Sequence, residues 1–111
     1  MLRKINYAVG LFMLGGTMML QAETLPGEGV TVIPVQSAQD VESFQTELIM
    51  EGLRQLGYEV ASKAELEYAT AHVAIGNGDA TFMAVHWQPQ HNYLFANAGG
   101  GEKISREGWI E

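Results

Sequence analysis

A run of β-branched residues, a helical pattern and a second strand-like run most strongly constrain how this chain folds. Residues 29–35 are apolar on both faces, which is typical of a strand in a covered parallel sheet. Residues 38–56 then place apolar side chains at near-helical spacing, and residues 58–60 resume an extended pattern. Strand, helix and strand in about thirty residues predict a βαβ unit with parallel strands and a right-handed crossover.

The helix over residues 38–56 has the clearest pattern in the chain. Ser37 precedes it as a predicted N-cap, and Gly57 suits the C′ position just after its end. Its charged and amide side chains, Glu42 among them, are expected on the solvent side. We expect its inner face to be an apolar stripe formed by Val41, Phe44, Leu48, Leu53 and Leu56, widened by Ile49.

Further alternation follows toward the C-terminus. Residues 64–77 predict a second helix, and residues 80–87 predict a third strand. Pro89 suits the first position of a helix over residues 90–98, and Gly99, Gly100 and Gly101 would stop that helix. Strands that alternate with helices predict an α/β fold. Because the alternation stops after three such pairs, the architecture is expected to be partial.

The first 22 residues predict a secretory signal peptide. Arg3 and Lys4 form a charged start, residues 8–20 carry no charge, and Ala22 is suited to cleavage. The alternative is a membrane anchor, but a spanning helix needs ~20 apolar residues, which this stretch does not provide. We therefore assign residues 1–22 to the signal peptide, residues 23–111 to the mature domain and the protein to the periplasm.

Composition narrows the classes of function. The formal charge is −7, and removal of Arg3 and Lys4 makes the mature chain more acidic still. Such a surface repels nucleic acid and anionic membrane, so neither is an expected partner. The chain has no Cys, which excludes disulfides, thiolate nucleophiles and Cys zinc sites.

Trp87 and His91 are the candidate ligand-binding residues. Trp87 ends the predicted third strand, and ligands of open α/β sheets bind outside the carboxyl ends of strands. Its ring face could hold a cation such as a quaternary ammonium, although an ordinary core or rim Trp is the alternative. His91 lies in the predicted first helical turn and could donate to a carboxylate, unless it is a surface His. Together the two residues could bind both ends of a zwitterion.

No enzyme or metal site is evident from the motifs. His86 precedes Trp87 on a strand and should point to the opposite face, while His72 is expected on the surface. His86 and His91 lack the i, i+4 spacing of a zinc helix, so no metal and no cofactor is predicted. No Ser has a motif partner for nucleophilic catalysis, and no phosphate loop is present, so the chain is not expected to be an enzyme.

Several short motifs, taken in their order along the chain, resemble those of a known family. They are Leu25-Pro26-Gly27, Val35-Gln36-Ser37, Leu56-Gly57-Tyr58, Gly78-Asp79-Ala80-Thr81-Phe82, Ala84-Val85, Trp87, Pro89, His91, Ala98-Gly99-Gly100 and Arg106-Glu107-Gly108. In this order and spacing the chain resembles the N-terminal part of the periplasmic substrate-binding proteins of glycine betaine/proline betaine ABC transporters.

The resemblance implies a fold, a ligand and a partner. The family has a two-lobed, type II periplasmic-binding-protein fold, so residues 23–111 would be a truncated first lobe with three-layer αβα character. Trp87 matches a Trp of the cage that holds the trimethylammonium group, and His91 matches the His that binds the carboxylate. The expected function is osmoprotectant uptake with a membrane permease as partner, by an N-terminal fragment that cannot bind tightly alone. A non-functional truncated product, or a small exported enzyme or metal-binding protein, is the alternative.

Overall fold

The computed structural model describes residues 23–108, so the predicted signal peptide over residues 1–22 lies outside the described residues. The described part contains five short strands and three helices. They are β1 (Thr31–Val32), β2 (Pro34–Gln36), α1 (Asp40–Gln55), β3 (Glu59–Val60), β4 (Ala64–Glu65), α2 (Tyr68–Asn77), β5 (Phe82–Met83) and α3 (Asn92–Asn97). The predicted α/β class is confirmed.

All strand pairs are parallel and fall into two small sheets. In one sheet β1 pairs with β3, and in the other β2 lies between β4 and β5. The first predicted strand is thus divided at Pro34, which has no N–H to continue a ladder and stands as the first residue of β2. At this break Ile33 bonds to Thr81 instead: its N–H donates to the Thr81 hydroxyl at 2.9 Å, and its carbonyl accepts from the Thr81 N–H at 2.7 Å.

Helix α1 ends where the sequence predicted but faces a different way. Gly57 has φ +90°, its N–H donates to the Arg54 carbonyl, and the Tyr58 N–H donates to the Leu53 carbonyl. These two hydrogen bonds together form a Schellman motif. Successive residues of a helix are ~100° apart around its axis. The residues of α1 that are in fact buried are Glu42, Thr46 and Met50. The predicted inward face was therefore wrong, and the true one lies about 100° further around the helix axis.

The remaining elements are shorter than predicted. The chain over residues 64–67 forms β4 and a turn before α2 begins at Tyr68, because the Leu66 N–H donates to the Gln36 carbonyl beside the central strand. Pro89 does not begin α3, since residues 88–91 form a turn in which the His91 N–H donates to the Trp87 carbonyl at 2.7 Å. The Gln88–Pro89 peptide bond is cis.

The buried apolar core is small and sits between the three-stranded sheet and α2. Val35 of β2, Ala71 of α2 and Ala80 form its centre, and Leu66, Ala74, Ile75 and Met83 pack against them. Several large apolar side chains outside this core stay exposed, Phe44 at 71% and Leu48 at 64% among them. The apolar stripe predicted to be buried therefore faces outward in the described part of the chain.

Candidate ligand-binding site

Parallel strands bring three polar side chains to one edge of the larger sheet. Ser37 follows β2 directly, Tyr68 comes three residues after β4, and Trp87 comes four residues after β5. Because β2, β4 and β5 are parallel, all three side chains lie beyond carboxyl ends of strands, where α/β proteins bind ligands. The sequence predicted this placement for Trp87 but not the convergence of the three.

Glu42 in the first turn of α1 joins these side chains. Its Oε2 accepts from the Ser37 hydroxyl at 2.5 Å and from the Ser37 N–H at 3.2 Å. Its Oε1 accepts from the Trp87 indole N–H at 2.8 Å and from the Tyr68 hydroxyl. Glu42 is 0% exposed, so the expectation that it faces solvent was wrong. Four hydrogen-bond donors compensate the burial of its charge, whereas apolar side chains would offer the carboxylate no donor.

The hydrogen bonds at Glu42 decide its charge state. Burial raises the pKa of this carboxyl, but the hydrogen bonds from Ser37, Tyr68 and Trp87 outweigh burial and hold the pKa below its usual range. Burial and the neighbouring Glu42 carboxylate both raise the pKa of Tyr68. A buried carboxylate that keeps its charge at neutral pH is therefore built into this edge of the sheet.

Trp87 keeps one side open while its polar edge is fixed. The residue is 41% exposed, and its indole N–H is held by Glu42 at 2.8 Å. A hydrogen bond from the indole edge to an anion leaves the ring face available and increases its electron density, which favours a cation above the ring. The prediction that Trp87 offers a ring face to a ligand is therefore compatible with the structure.

His91 is buried next to the same cluster. Its ring is 6% exposed and lies 4.0 Å from the Tyr68 ring, measured between centroids. Its Nδ1 accepts from the Trp87 backbone N–H at 3.1 Å, so the proton of the neutral ring is on Nε2. Burial lowers the pKa of His91, the neighbouring His72 lowers it further, and Glu42 opposes both. At neutral pH His91 is thus a neutral ring whose Nε2–H can donate.

His72 and His86 lie closer to this site than the sequence suggested. His72 is 2% exposed, so its predicted surface position was wrong. The His86 ring is 5.6 Å from the His91 ring, because the turn over residues 88–91 returns the chain beneath the end of β5. Side chains alternate between the two faces only within a strand, and that alternation was the reason for placing His86 opposite Trp87. Because β5 ends at Met83, the alternation does not extend to His86.

Two cavities border this region. A cleft of ≈ 580 Å³ at the ends of β2 and β4 is lined by Ser37, Gln39 and Tyr68, among others. A wide groove of ≈ 1050 Å³ runs between the outward stripe of α1 on one side and Phe82 of β5 and Trp87 on the other. We call these the carboxyl-edge cleft and the apolar groove. Both adjoin residues of the Glu42 cluster, and each is large enough for a small molecule.

Parallel strands whose ends present a buried anion, a half-exposed indole and a neutral histidine are typical of a small-molecule-binding α/β protein. No protein-family model matches the chain. Individual curated proteins, however, are similar to it. The chain is 44% identical over 108 residues to the glycine betaine-binding periplasmic protein OusX of Dickeya dadantii. It is also 48% and 46% identical over 87 residues to the glycine betaine/proline betaine-binding periplasmic proteins of Salmonella typhimurium and Escherichia coli.

The predicted resemblance to the periplasmic glycine betaine/proline betaine-binding proteins is confirmed by these relatives. The match covers 96% of the chain in the first relative and 78% in the other two. The chain spans only 32% or 26% of the relatives' own length. All three relatives are periplasmic binding proteins, which confirms the predicted location and the prediction that the chain is not an enzyme. No helix within residues 23–108 is long and apolar enough to cross a membrane.

Proposed function

We propose that this chain forms part of the substrate-binding component of an ABC importer for glycine betaine and proline betaine, with a membrane permease as its partner. The observation that carries the proposal is the half-exposed Trp87 indole, fixed by Glu42 beyond the carboxyl end of a parallel strand. The names of the relatives support the ligand class. The physiological role would be the uptake of osmoprotectants.

In this proposal Trp87 binds the cationic end of the ligand. A trimethylammonium group has no N–H, so no hydrogen bond can hold it, and an aromatic face is the group that recognises it. Glu42 acts as a positioning residue, because its bond to the indole N–H fixes the plane of the ring. Its retained negative charge adds a favourable potential for a cation above that ring.

His91 binds the carboxylate end in the same proposal. The neutral ring keeps a proton on Nε2 because Nδ1 accepts from the Trp87 backbone. The bond also couples the two residues, since the backbone that carries the indole orients the imidazole. A zwitterion would thus be recognised at both ends by residues only four positions apart.

Tight binding requires more than these two residues. A single cation–π contact contributes ~0.5–2 kcal/mol, whereas micromolar affinity corresponds to ~8 kcal/mol. We therefore propose that residues 23–111 correspond to part of the first lobe of a type II, three-layer periplasmic-binding fold. Further aromatic rings and amides would come from a second polypeptide segment. The relatives have about two thirds or more of their length outside the match, enough for that segment.

The apolar groove supports this view of a partial lobe. Isolated monomers rarely leave large contiguous apolar patches exposed. Here Leu48 and Ile49 of α1 line the same open groove as Val30 and Phe82. We propose that the remaining part of the first lobe packs on this groove.

A chimera tests the proposed function. This chain replaces the matched segment of the Salmonella typhimurium relative, and glycine betaine binding is measured by isothermal titration calorimetry. We expect binding in the chimera, a clear loss with Trp87→Ala and with His91→Ala, and no change with Tyr93→Ala, an exposed aromatic on α3 that serves as control. Unchanged affinity in the Trp87→Ala chimera would refute the assigned role of Trp87.

A further inference from the structure

Three histidines from separate parts of the chain converge at one point. His72 comes from α2, His86 from the segment after β5, and His91 from the position just before α3. Their ring nitrogens supply one ligand atom each, all within 4.8 Å of one another. We propose that His72, His86 and His91 bind one divalent transition-metal ion of the zinc, copper or nickel class.

The arrangement of the rings fits a common metal ligand set. The ring centroids are 5.3 Å apart for His72 and His86, and 5.6 Å apart for each of the other two pairs. Metal–nitrogen bonds of ~2.0–2.1 Å in a tetrahedral site place neighbouring imidazole centres about 5.3 Å apart, and a flatter trigonal site places them about 5.6 Å apart. The observed triangle spans this range.

His72 is the best prepared of the three ligands. Its Nδ1 lies 2.6 Å from the Tyr68 carbonyl oxygen, which can only accept, so Nδ1 carries the proton and the Nε2 lone pair faces His86. Metal-binding histidines commonly donate their second N–H to a backbone carbonyl in this way, which fixes the tautomer and the ring. The backbone of α2 has thus already oriented His72 as a ligand.

His86 faces that lone pair. Its Nδ1 lies 3.0 Å from His72 Nε2. Two nitrogens bound to the same tetrahedral ion are about 3.3 Å apart, so the observed distance is close to that of a bound pair. Its Nε2 is buried with no partner at hydrogen-bonding geometry among residues 23–108. When the metal replaces the proton shared with His72, that proton can move to Nε2 of the same ring, and the Asn92 side chain interacts favourably with a protonated His86.

His91 should be the weakest ligand. Its Nδ1 accepts from the Trp87 N–H at 3.1 Å, so it can bind a metal through Nδ1 only by giving up that bond. The three-imidazole set is otherwise suited to the proposed ions, which imidazole nitrogens prefer over magnesium or calcium. Arg106 opposes a cation here through its charge near His86, whereas the chain as a whole is acidic.

The chain is convenient for a test because these are its three histidines and it has no Cys. The full chain is purified without a polyhistidine tag and titrated with Zn²⁺ by calorimetry. Cu²⁺ is added separately, and nitrogen hyperfine coupling is measured by electron paramagnetic resonance. Betaine is absent, so the outcome does not depend on the proposed transport function. We expect one metal per chain and coupling to at least two imidazole nitrogens.

Variants assign the ligands. Loss of an oriented ligand should weaken Zn²⁺ binding by at least about 100-fold for His72→Gln and His86→Gln, and by about 10-fold for His91→Gln. Glu51→Gln, an exposed acid on α1, is the matched control and should bind as the parent chain does. A Cu²⁺ spectrum of the unsubstituted chain without nitrogen coupling would overturn the proposal even if every variant failed to fold. Full binding after both His72→Gln and His86→Gln would overturn it equally.

Discussion

Replacing Glu42 by Gln should destabilise the chain far more than a surface substitution does. The carboxylate accepts four hydrogen bonds while it is 0% exposed, whereas Gln offers one oxygen and one NH₂ group. If the oxygen faces Trp87, the NH₂ group meets the Ser37 N–H. If the oxygen faces Ser37, the NH₂ group meets the Trp87 indole N–H. In either orientation two donors face each other, and neither of these N–H groups can accept.

The size of the effect follows from these contacts. A buried donor left without an acceptor costs ~1–3 kcal/mol, and bonds to a charged group contribute ~1.5–3 kcal/mol, more than bonds to a neutral one. The substitution also removes the cost of burying a charge, which offsets part of the loss. We expect the free energy of unfolding to fall by about 2–4 kcal/mol.

Urea unfolding of the full chain, followed by circular dichroism, measures this loss. Glu51→Gln makes the same chemical change on the exposed side of α1, where Glu51 pairs with Arg54 at 3.5 Å, and should have little effect. If Glu42→Gln stayed within about 0.5 kcal/mol of the parent, a typical surface value, the argument that Glu42 holds this edge together would be wrong.

Three further predictions test other parts of the structure. The pKa of Glu42 is lower in the folded chain than in the unfolded one, so its stabilisation is complete above the ordinary carboxyl pKa of about 4.3 and is lost as pH falls through the lower folded value. Urea unfolding at several pH values should therefore show a stability loss below that pH that is smaller in Glu42→Gln. Gly57→Ala should lower the free energy of unfolding by about 1–2 kcal/mol or more, because Gly57 has φ +90° and a Cβ there would lie 2.6 Å from Leu25 Cβ. Gly52 lies within α1 and a Cβ there would meet open space, so Gly52→Ala should raise the free energy of unfolding by about 0.5–1 kcal/mol in the same assay. In the chimera, Trp87→Ala should weaken glycine betaine binding by about 2- to 30-fold in calorimetry, the range of one cation–π contact, and an unchanged affinity would contradict the cation site.

Local sequence signals were reliable where local chemistry decides the structure. The alternation of strands and helices predicted the α/β class, and Gly57 marked the end of α1 because only a residue tolerant of positive φ fits a Schellman motif. The same rules misplaced the start of α2, where the Leu66 N–H bonds to the Gln36 carbonyl of the neighbouring strand β2. A pairing between distant residues has no signature in the local pattern.

The candidate site shows the same division. Trp87 and His91 could be proposed from their position near a strand end, but Glu42 could not. An acidic residue outside the apolar stripe of a helix is expected to face solvent. Its burial depends on donors from Ser37, Tyr68 and Trp87, which lie in three separate segments of the chain. One signal was available: Asp40 and Glu42 both fall in the first turn of α1, where negative charge is favourable.

The buried Glu42 and the exposed apolar stripe of α1 have one cause, the orientation of the helix, which bears on the proposal that the chain is part of a lobe. The orientation of α1 that brings Glu42 to the ends of β2 and β5 also turns Leu48 and Ile49 outward, where they line the apolar groove. Full burial of one such side chain contributes ~1.5–3 kcal/mol, so the two exposed side chains forgo a stabilisation comparable in size to the loss expected for Glu42→Gln. If a second segment covers the apolar groove, as proposed above, the burial of these side chains and the hydrogen bonds at Glu42 both stabilise the same orientation of α1. The orientation of α1 therefore supports the proposal that the ligand site and the covered groove form together.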